Sequence, residues 1–201
     1  MKIIYNGFNF KNYKSKNLKD DKIVFTCISR IIPYKGHLIL VELFDKFCKI
    51  NNKIYLQIVG DTLPEYQKYL ENLKLNIDKK GLSDKIIFMG FQKDISSILS
   101  VSNFFIHTPI EPDPLPTVIF EAIKSRTPVI TNNLGGAYEI LNDGKNGLII
   151  NNDLKEETSN KILKYLNSNE VQKDNINKAL IYASKKFSKE KFERKILKII
   201  E

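Results

Sequence analysis

The chain has 201 residues, of which 42% are hydrophobic and 27% are charged. This length and balance fit one folded globular domain, and they exclude a disordered chain, a fibrous repeat and a disulfide-stabilised miniprotein. The formal net charge of +9 favours anionic partners, such as phosphate-bearing small molecules, nucleic acid or a membrane surface.

The basic excess lies mostly at the two ends of the chain. Residues 1–22 contain six Lys and two Asp, and residues 151–201 contain twelve Lys or Arg and eight Asp or Glu, which leaves +4 at each end. A nucleic-acid surface more often concentrates basic residues in one stripe with interleaved aromatic side chains. We therefore interpret most of the excess as solvated surface charge and expect no nucleic-acid partner.

The two cysteines and the absence of long apolar runs indicate a cytoplasmic protein. Cys27 and Cys48 fit no metal-binding or redox spacing, and we interpret both as reduced core thiols. No apolar run approaches the ~20 residues that span a bilayer, and the apolar start of the chain is too short for a signal peptide.

From residue 22 onward, β-rich apolar runs alternate with segments of helical periodicity. Strands are predicted at 23–29, 54–60, 85–90, 104–108, 128–131 and 147–150, and helices at 37–50, 64–80, 94–101, 117–125 and 137–142. Continuously apolar strands that alternate with helices indicate a parallel sheet with helices on both faces. The sequence thus predicts a Rossmann-like α/β domain with three layers, α/β/α.

The two ends of the chain depart from this alternation. Residues 1–21 have no regular period and contain a turn signal at Asn6-Gly7, so we interpret them as a linker. Residues 154–201 are predicted to be a tail that is helical throughout. Since no Pro/Gly-rich stretch divides the chain after residue 22, one domain is predicted for residues 22–201.

The loop after the first predicted strand carries two basic side chains. Arg30 and Lys35 lie five residues apart, just before a helix. In sheets of this kind, ligands bind where the strands end, and a guanidinium with an ammonium could there neutralise a diphosphate. Ordinary surface charge is the alternative. The G-x-G-x-x-G and P-loop patterns are absent, which argues against NAD binding and P-loop ATP hydrolysis.

A proline-rich segment precedes the predicted helix at 117–125. Three prolines at alternate positions favour an extended approach to this helix. The backbone amides of Leu115, Thr117 and Val118 could therefore face an anion, with the positive end of the helix dipole behind them.

Two carboxylates flank the start of the same helix. Asp113 lies in the extended stretch and Glu121 lies inside the helix, and the two can converge on one pocket. The alternative is structural: Asp113 as a turn residue, and Glu121 as a surface acid paired with Lys124 or Arg126.

Gly135-Gly136 and the two histidines are weaker candidates. The paired glycines allow close backbone approach to a ligand, although a loop turn explains them equally well. His37 is interpreted as a helix-start residue, whereas His107 ends a strand beside residues 111–114, here called the acidic segment, and could contact a ligand. Neither histidine has a partner at metal-ligand spacing, so no metal site is predicted.

In order and spacing, these segments resemble the C-terminal half of the retaining glycosyltransferases of family four, which have the GT-B fold. The resemblance covers most of the chain and includes, in order, Tyr5-Asn6-Gly7, Ser29-Arg30, Lys35-Gly36, Ile58-Val59-Gly60, Gly90-Phe91, Asp113, Glu121-Ala122, Pro128-Val129-Ile130, Gly135-Gly136, Glu139 and Asn146-Gly147-Leu148. It implies half of a GT-B fold, in which residues 1–21 are an interdomain linker and residues 22–201 bind the nucleotide-sugar donor. The N-terminal Rossmann domain, which holds the acceptor site in the family, is missing from this chain.

The resemblance implies catalytic roles for four side chains. Arg30 and Lys35 would bind the donor diphosphate, Glu121 would hold the ribose hydroxyls, and Asp113 would hold the hydroxyls of the transferred sugar. The family has Glu where this chain has Asp113, so the reach of this carboxylate is shorter. Pro116 also stands where many members have Gly, which removes one amide.

The resemblance implies further contacts to the donor. The loops after Gly60 and Gly90 would frame the base, with Phe91 as a contact. The amides of Leu115, Thr117 and Val118 would meet sugar and phosphate. No metal or other cofactor is expected.

The resemblance also implies a function. We expect a donor domain that binds a UDP-sugar, such as UDP-GalNAc or UDP-GlcNAc, for retaining transfer in bacterial surface polysaccharide synthesis (O-antigen or capsule). A lipid-linked glycan acceptor would place the enzyme at the inner face of the cytoplasmic membrane, and the isolated chain is expected to be inactive. The alternative is a non-catalytic nucleotide-binding or regulatory module.

Overall fold

The described part of the chain is built around a sheet of six parallel strands. A computed structural model describes residues 3–11, 16–18, 22–153 and 155–200; the rest of the predicted linker and the two ends of the predicted helical tail, residues 154 and 201, lie outside the described residues. The strands are β1 (Ile23–Ile28), β2 (Ile54–Val59), β3 (Ile86–Gly90), β4 (Phe104–His107), β5 (Val129–Asn132) and β6 (Leu148–Ile150). Their order in the sheet is β3-β2-β1-β4-β5-β6.

In the described ranges, eight α-helices connect and follow the strands. They are α1 (His37–Ile50), α2 (Gln67–Lys79), α3 (Ile95–Ser100), α4 (Thr117–Lys124), α5 (Gly136–Ile140), α6 (Glu156–Leu166), α7 (Asn169–Lys186) and α8 (Lys189–Ile200). Two short 3-10 turns, Pro33–Lys35 and Pro64–Tyr66, precede α1 and α2.

The helices cover both faces of the sheet, as the sequence predicts. Phe44 of α1 packs against Phe25 of β1 with ring centroids 5.2 Å apart, in a core that α2 and α6 complete. On the opposite face, Phe120 of α4 belongs to a second core with α3, α5 and α7. Because both faces of the strands are buried, this is a three-layer α/β/α domain of Rossmann type.

The strand order reverses between β1 and β4. These two strands are neighbours, with Phe25 beside Phe104. From β1 the chain continues to β2 and β3 on one side, and from β4 it continues to β5 and β6 on the other. The loops after β1 and β4 therefore diverge and leave a crevice between them, which is where open α/β sheets bind ligands.

The C-terminal tail is not helical throughout, which corrects the prediction for residues 154–201. It is divided into α6, α7 and α8 by breaks at 167–168 and 187–188. Phe187 is buried, and its carbonyl accepts a hydrogen bond from the Phe8 amide at 2.8 Å. The Lys189 amide in turn donates to the Phe8 carbonyl at 3.1 Å, so the N-terminal segment holds the second break in place.

The N-terminal segment itself packs on the domain. No turn forms at Asn6-Gly7, contrary to the sequence signal. A Cβ on Gly7 would lie 2.6 Å from the Lys189 Cα, so the glycine instead allows α8 to approach. Further along, the Lys16 ammonium donates to the carbonyls of Leu99 (2.8 Å) and Ser102 (2.6 Å) and to the Thr127 hydroxyl (2.7 Å).

The predictions for the two cysteines and for a membrane span can be compared with the structure. Cys27 is a buried free thiol on β1, and Cys48 is a half-buried free thiol on α1. Within the described ranges, no helix combines the length and the apolar character needed to cross a bilayer.

Candidate functional site

The loops after β1 and β4 are fastened to each other by backbone contact. Gly36, with φ of 73°, lies so close to Thr108 that a Cβ would be 1.8 Å from the Thr108 carbonyl oxygen. Beside it, the Ile110 amide donates to the Tyr34 carbonyl at 2.9 Å. Only a glycine tolerates both the positive φ and this approach. These contacts therefore fix the distance between the two loops at the crevice.

A polar cavity of about 230 Å³ opens in this crevice. A second cavity of about 240 Å³ adjoins it, between Arg30, Lys35 and the proline-rich segment at 111–114. Arg30 is exposed and forms no salt bridge within the described part of the chain. The first cavity brings together six of the predicted site residues, namely Arg30, Lys35, Asp113, Leu115, Thr117 and Val118.

Lys35 and Asp113 form an ion pair across the mouth of the crevice. The Lys35 Nζ lies 2.6 Å from the Asp113 Oδ2, and about a fifth of each side chain is exposed (19% and 22%). Because the pair is partly solvated, its strength is modest and either partner can be exchanged for a ligand group.

The amino end of α4 presents free amides to the same cavity. Pro116 is its N-cap, with extended φ and ψ of −67° and 95°, and the helix begins at Thr117. In the described part of the chain, the amides of Leu115, Thr117 and Val118 donate to no protein acceptor. Unsatisfied amides at the positive end of a helix dipole form an anion-binding site.

The paired glycines contact the acidic segment. A Cβ on Gly136 would lie 2.0 Å from the Pro114 carbonyl oxygen, and one on Gly135 would lie 2.3 Å from the Asp113 carbonyl oxygen. The Gly136 amide also donates to that Asp113 carbonyl at 2.8 Å. The sequence left a ligand contact and a loop turn as equal explanations of the paired glycines, and the structure shows that the backbone carrying Asp113 makes the close approach.

A less polar cavity of about 380 Å³ lies on the other side of Arg30. The predicted residues Gly60 and Phe91 line it, and Phe91 is 68% exposed. Asp61 and Thr62 line it as well, although the sequence reasoning did not select them. The sequence signal for them is their position, because they are the first polar side chains after Gly60, which directly follows β2.

Glu121 does not line these three cavities. It lies one helical turn beyond Thr117, is half-buried, and has a pKa raised by that burial and lowered in part by Lys124. Among the described residues it forms no salt bridge, so the alternative of a surface acid paired with Lys124 or Arg126 is not supported. The Glu121 carboxylate is therefore available to accept hydrogen bonds from a ligand that extends past the start of α4.

Both histidines are buried neutral side chains. Burial lowers the pKa of His37 and His107 to about 4. His37 begins α1, as predicted, and its Nε2 lies 3.1 Å from the Ser29 hydroxyl. His107 lines the polar cavity beside Asp113. The described residues contain no cluster of three His, Cys, Asp or Glu side chains that could hold a metal ion.

The profile of the family described as Glycosyl transferases group 1 matches residues 9–187. This chain belongs to that family. It is 26% identical to an uncharacterized glycosyltransferase of Methanocaldococcus jannaschii over 99% of the chain and 52% of that protein. It is 24% identical to the N-acetylgalactosamine-N,N'-diacetylbacillosaminyl-diphospho-undecaprenol 4-alpha-N-acetylgalactosaminyltransferase of Campylobacter jejuni, over 98% of the chain and 53% of that enzyme. The chain thus spans about half the length of these relatives.

Solved structures of glycosyltransferases have the same fold. The Anabaena protein HepE, in complex with UDP and glucose, superposes with a TM-score of 0.88 at 26% identity, over 99% of this chain and 56% of that one. The C-terminal domain of a group 1 glycosyltransferase from Francisella tularensis superposes with a TM-score of 0.76 at 17% identity, over 90% of this chain and 99% of that domain. The architecture is that of a GT-B donor half, as the resemblance implied.

Proposed function

We propose that this chain is the donor-binding half of a retaining glycosyltransferase that uses a UDP-sugar. The observation that carries the proposal is the crevice between β1 and β4, where the cations Arg30 and Lys35 face the free amides at the start of α4. This combination suits a diphosphate, because two cations and a helix dipole can neutralise two phosphate groups. The UDP in the complexes of HepE supports the same ligand class.

The donor would lie across Arg30. Its base would occupy the 380 Å³ cavity, where Phe91 offers a stacking face, and its diphosphate and sugar would occupy the polar cavity. Glu121 would accept hydrogen bonds from the ribose hydroxyls, and Asp113 from the hydroxyls of the sugar. For Asp113 this requires release of the Lys35 ammonium, which the diphosphate would then receive.

The chemical task of this half would be to stabilise the leaving group. In retaining transfer, the bond from the anomeric carbon to the diphosphate breaks while the acceptor hydroxyl attacks from the same face and gives its proton to a phosphate oxygen. Negative charge accumulates on the diphosphate, so Arg30, Lys35 and the α4 amides would bind the transition state more tightly than the donor. Hydrogen-bond donors placed in this way are typically worth about 3–4 kcal/mol each.

The proposal also covers the sugar that is transferred and the acceptor that receives it. We propose transfer of GalNAc or GlcNAc to a lipid-linked surface glycan. The name of the Campylobacter relative, which describes GalNAc transfer to a diphospho-undecaprenol acceptor, supports the choice of GalNAc and of a lipid-linked acceptor. Such an acceptor would hold the whole enzyme at the inner face of the cytoplasmic membrane. The acceptor site would lie in a second domain, so we expect the isolated chain to bind donor without transferring sugar.

Isothermal titration calorimetry of this chain with UDP, UMP and UDP-sugars tests the proposal. Arg30→Ala and Lys35→Ala should each weaken UDP binding more than UMP binding, because only UDP carries the second phosphate. Lys161→Ala, which removes an exposed lysine on α6, is the matched control and should change neither.

Three outcomes would count against parts of the proposal. Absence of binding heat with every nucleotide diphosphate would refute donor binding. Equal weakening of UDP and UMP in both variants would refute the assignment of Arg30 and Lys35 to the diphosphate. Nucleotide binding with no preference between UDP and UDP-sugars would favour the alternative of a regulatory module.

A further inference from the structure

A polar cluster joins the N-terminal segment, α5 and α7, away from the proposed donor pocket. The Glu139 carboxylate accepts hydrogen bonds from the Lys186 ammonium, at 2.8 Å, and from the Tyr5 hydroxyl. The Lys186 ammonium also donates to the Tyr182 hydroxyl at 2.8 Å. We call Tyr5, Glu139 and Lys186 the clasp.

Glu139 and Lys186 of the clasp are both charged at neutral pH. Partial burial works against the carboxylate of Glu139, but the hydrogen bonds from Lys186 and Tyr5 outweigh it and lower the pKa of Glu139. Burial likewise works against the ammonium of Lys186, but the hydrogen bonds and charge interactions with Glu139 and Tyr182 together outweigh it and raise the pKa of Lys186. The ammonium also lies 5.4 Å from the Tyr5 ring centroid, within cation-π range.

One side of the clasp is rigidly connected to Asp113. Glu139 belongs to the five-residue helix α5, which begins at Gly136. The Gly136 amide donates to the Asp113 carbonyl, and a Cβ on Gly136 would lie 2.0 Å from the Pro114 carbonyl oxygen. Since these backbones are already at contact distance, α5 cannot shift toward the acidic segment without moving Asp113.

The other side of the clasp is the N-terminal segment. The Tyr5 ring packs edge-on against Phe187, with centroids 5.0 Å apart. Phe8 is fixed next to it by the two backbone hydrogen bonds that hold the break between α7 and α8. In the proposed function this segment is the connection to the acceptor domain, so its position changes when the two halves of the enzyme move.

We infer that Glu139 is a positioning residue, through which the N-terminal segment sets the placement of Asp113 and hence the affinity for the sugar part of the donor. The inference rests on the proposed function for the identity of that donor and for the roles of Asp113 and of the N-terminal segment. Glu139 lies outside the three cavities of the site, and it acts through α5 and the paired glycines.

Glu139→Gln and Tyr5→Phe test this coupling, since each weakens the clasp while keeping the size of the side chain. Asp174→Asn is the matched control, because it removes another short ion pair of α7, the 2.6 Å contact with Lys178. The first readout needs no ligand: hydrogen exchange of the Gly136 amide, measured by NMR. We expect at least tenfold faster exchange in Glu139→Gln and an unchanged rate in Asp174→Asn.

The second readout is calorimetry of the same variants with UDP and with UDP-GlcNAc and UDP-GalNAc. Glu139→Gln should weaken the tighter-binding UDP-sugar at least threefold more than it weakens UDP. Equal losses for UDP and UDP-sugar would indicate general destabilisation and would overturn the inference. An unchanged exchange rate of the Gly136 amide in Glu139→Gln would overturn the inference as well, independently of the nucleotide affinities. Faster exchange in a chain that binds no UDP would instead refute the proposed function alone.

Discussion

The Lys35 ammonium and the Asp113 carboxylate neutralise each other across 2.6 Å, at the mouth of the crevice between β1 and β4. Each comes from a different loop, and each is proposed to contact a different part of the donor. In the proposed function, the ion pair keeps both side chains in the pocket before the donor arrives, and donor binding would separate them.

Replacing Asp113 should strengthen the binding of UDP more than the binding of UDP-sugars. Asp113→Asn frees the Lys35 ammonium and removes a negative charge close to the diphosphate. We expect UDP to bind more tightly, by roughly fivefold for an interaction of about 1 kcal/mol. A UDP-sugar should gain less than UDP or lose affinity, because the sugar hydroxyls lose a charged acceptor. Calorimetry with both ligands checks this, and weaker UDP binding would contradict it.

Gly136 should be intolerant of a single methyl group. Its own φ is not positive, so alanine meets no backbone strain there, yet the new Cβ would lie 2.0 Å from the Pro114 carbonyl oxygen. We expect Gly136→Ala to displace the acidic segment, lower the free energy of unfolding by about 1–3 kcal/mol and weaken UDP-sugar binding more than tenfold.

Gly81 provides the control for that substitution. It has a φ of +65°, and no atom lies within 4 Å of a Cβ placed there. Gly81→Ala should therefore cost about 1 kcal/mol of stability from backbone strain alone and leave UDP-sugar binding unchanged. Similar binding losses in the two variants would contradict our account of the paired glycines.

The contribution of Glu121 to nucleotide affinity should depend on the ribose hydroxyls. If its carboxylate accepts hydrogen bonds from the ribose hydroxyls, Glu121→Gln should weaken UDP about tenfold, because a charged acceptor is replaced by a neutral one. The loss for 2′-deoxy-UDP should be smaller, since one of the hydroxyls is already absent. Glu157→Gln on the exposed surface of α6 serves as control. Equal losses of affinity for UDP and 2′-deoxy-UDP would contradict a contact between Glu121 and the ribose.

Stability should decrease when the pH falls from 7 to 5. Burial, with a smaller effect of Lys35, lowers the pKa of His37 and His107 from 6.5 to about 4. Between these values the unfolded chain binds protons that the folded chain does not, so acidification favours unfolding by about 2 kcal/mol for each histidine. Urea unfolding at pH 7 and pH 5 measures the change. In His107→Asn the change should be about 2 kcal/mol smaller, and an identical pH dependence would argue against a neutral buried His107.

The sequence predicted the alternating elements well because each of them has a local signal. The apolar run at 23–29 became β1, and the periodic segment at 37–50 became α1 with the predicted bounds. The predicted helix at 64–80 begins as a 3-10 turn at Pro64, and α2 starts only at Gln67. The break at Phe187 has a local signal only in Ser188, whose hydroxyl accepts the Lys191 amide at the start of α8. The pairing of this break with Phe8, which is distant along the chain, has no local signal.

The site shows the same division between local and long-range information. Arg30, Lys35 and Asp113 could be selected because they follow predicted strands, and the structure brings them together. The partner of the paired glycines could not be selected, because the Asp113 backbone approaches them only after β4 and β5 have paired. Sequence reasoning thus selected residues that face a pocket more readily than residues that hold its loops.

The loops of this site are held by backbone packed directly against backbone. Gly36 lies against Thr108, Gly60 against the Ser29 carbonyl, and Gly136 against Pro114. The side chains that face the cavities carry little of this structural work, so evolution can replace them without rebuilding the scaffold. If the chain binds a donor as proposed, single substitutions at these side chains should be enough to change the donor preference. A library randomised at Phe91 and Thr117 should contain a far larger fraction of folded proteins than one randomised at these three glycines.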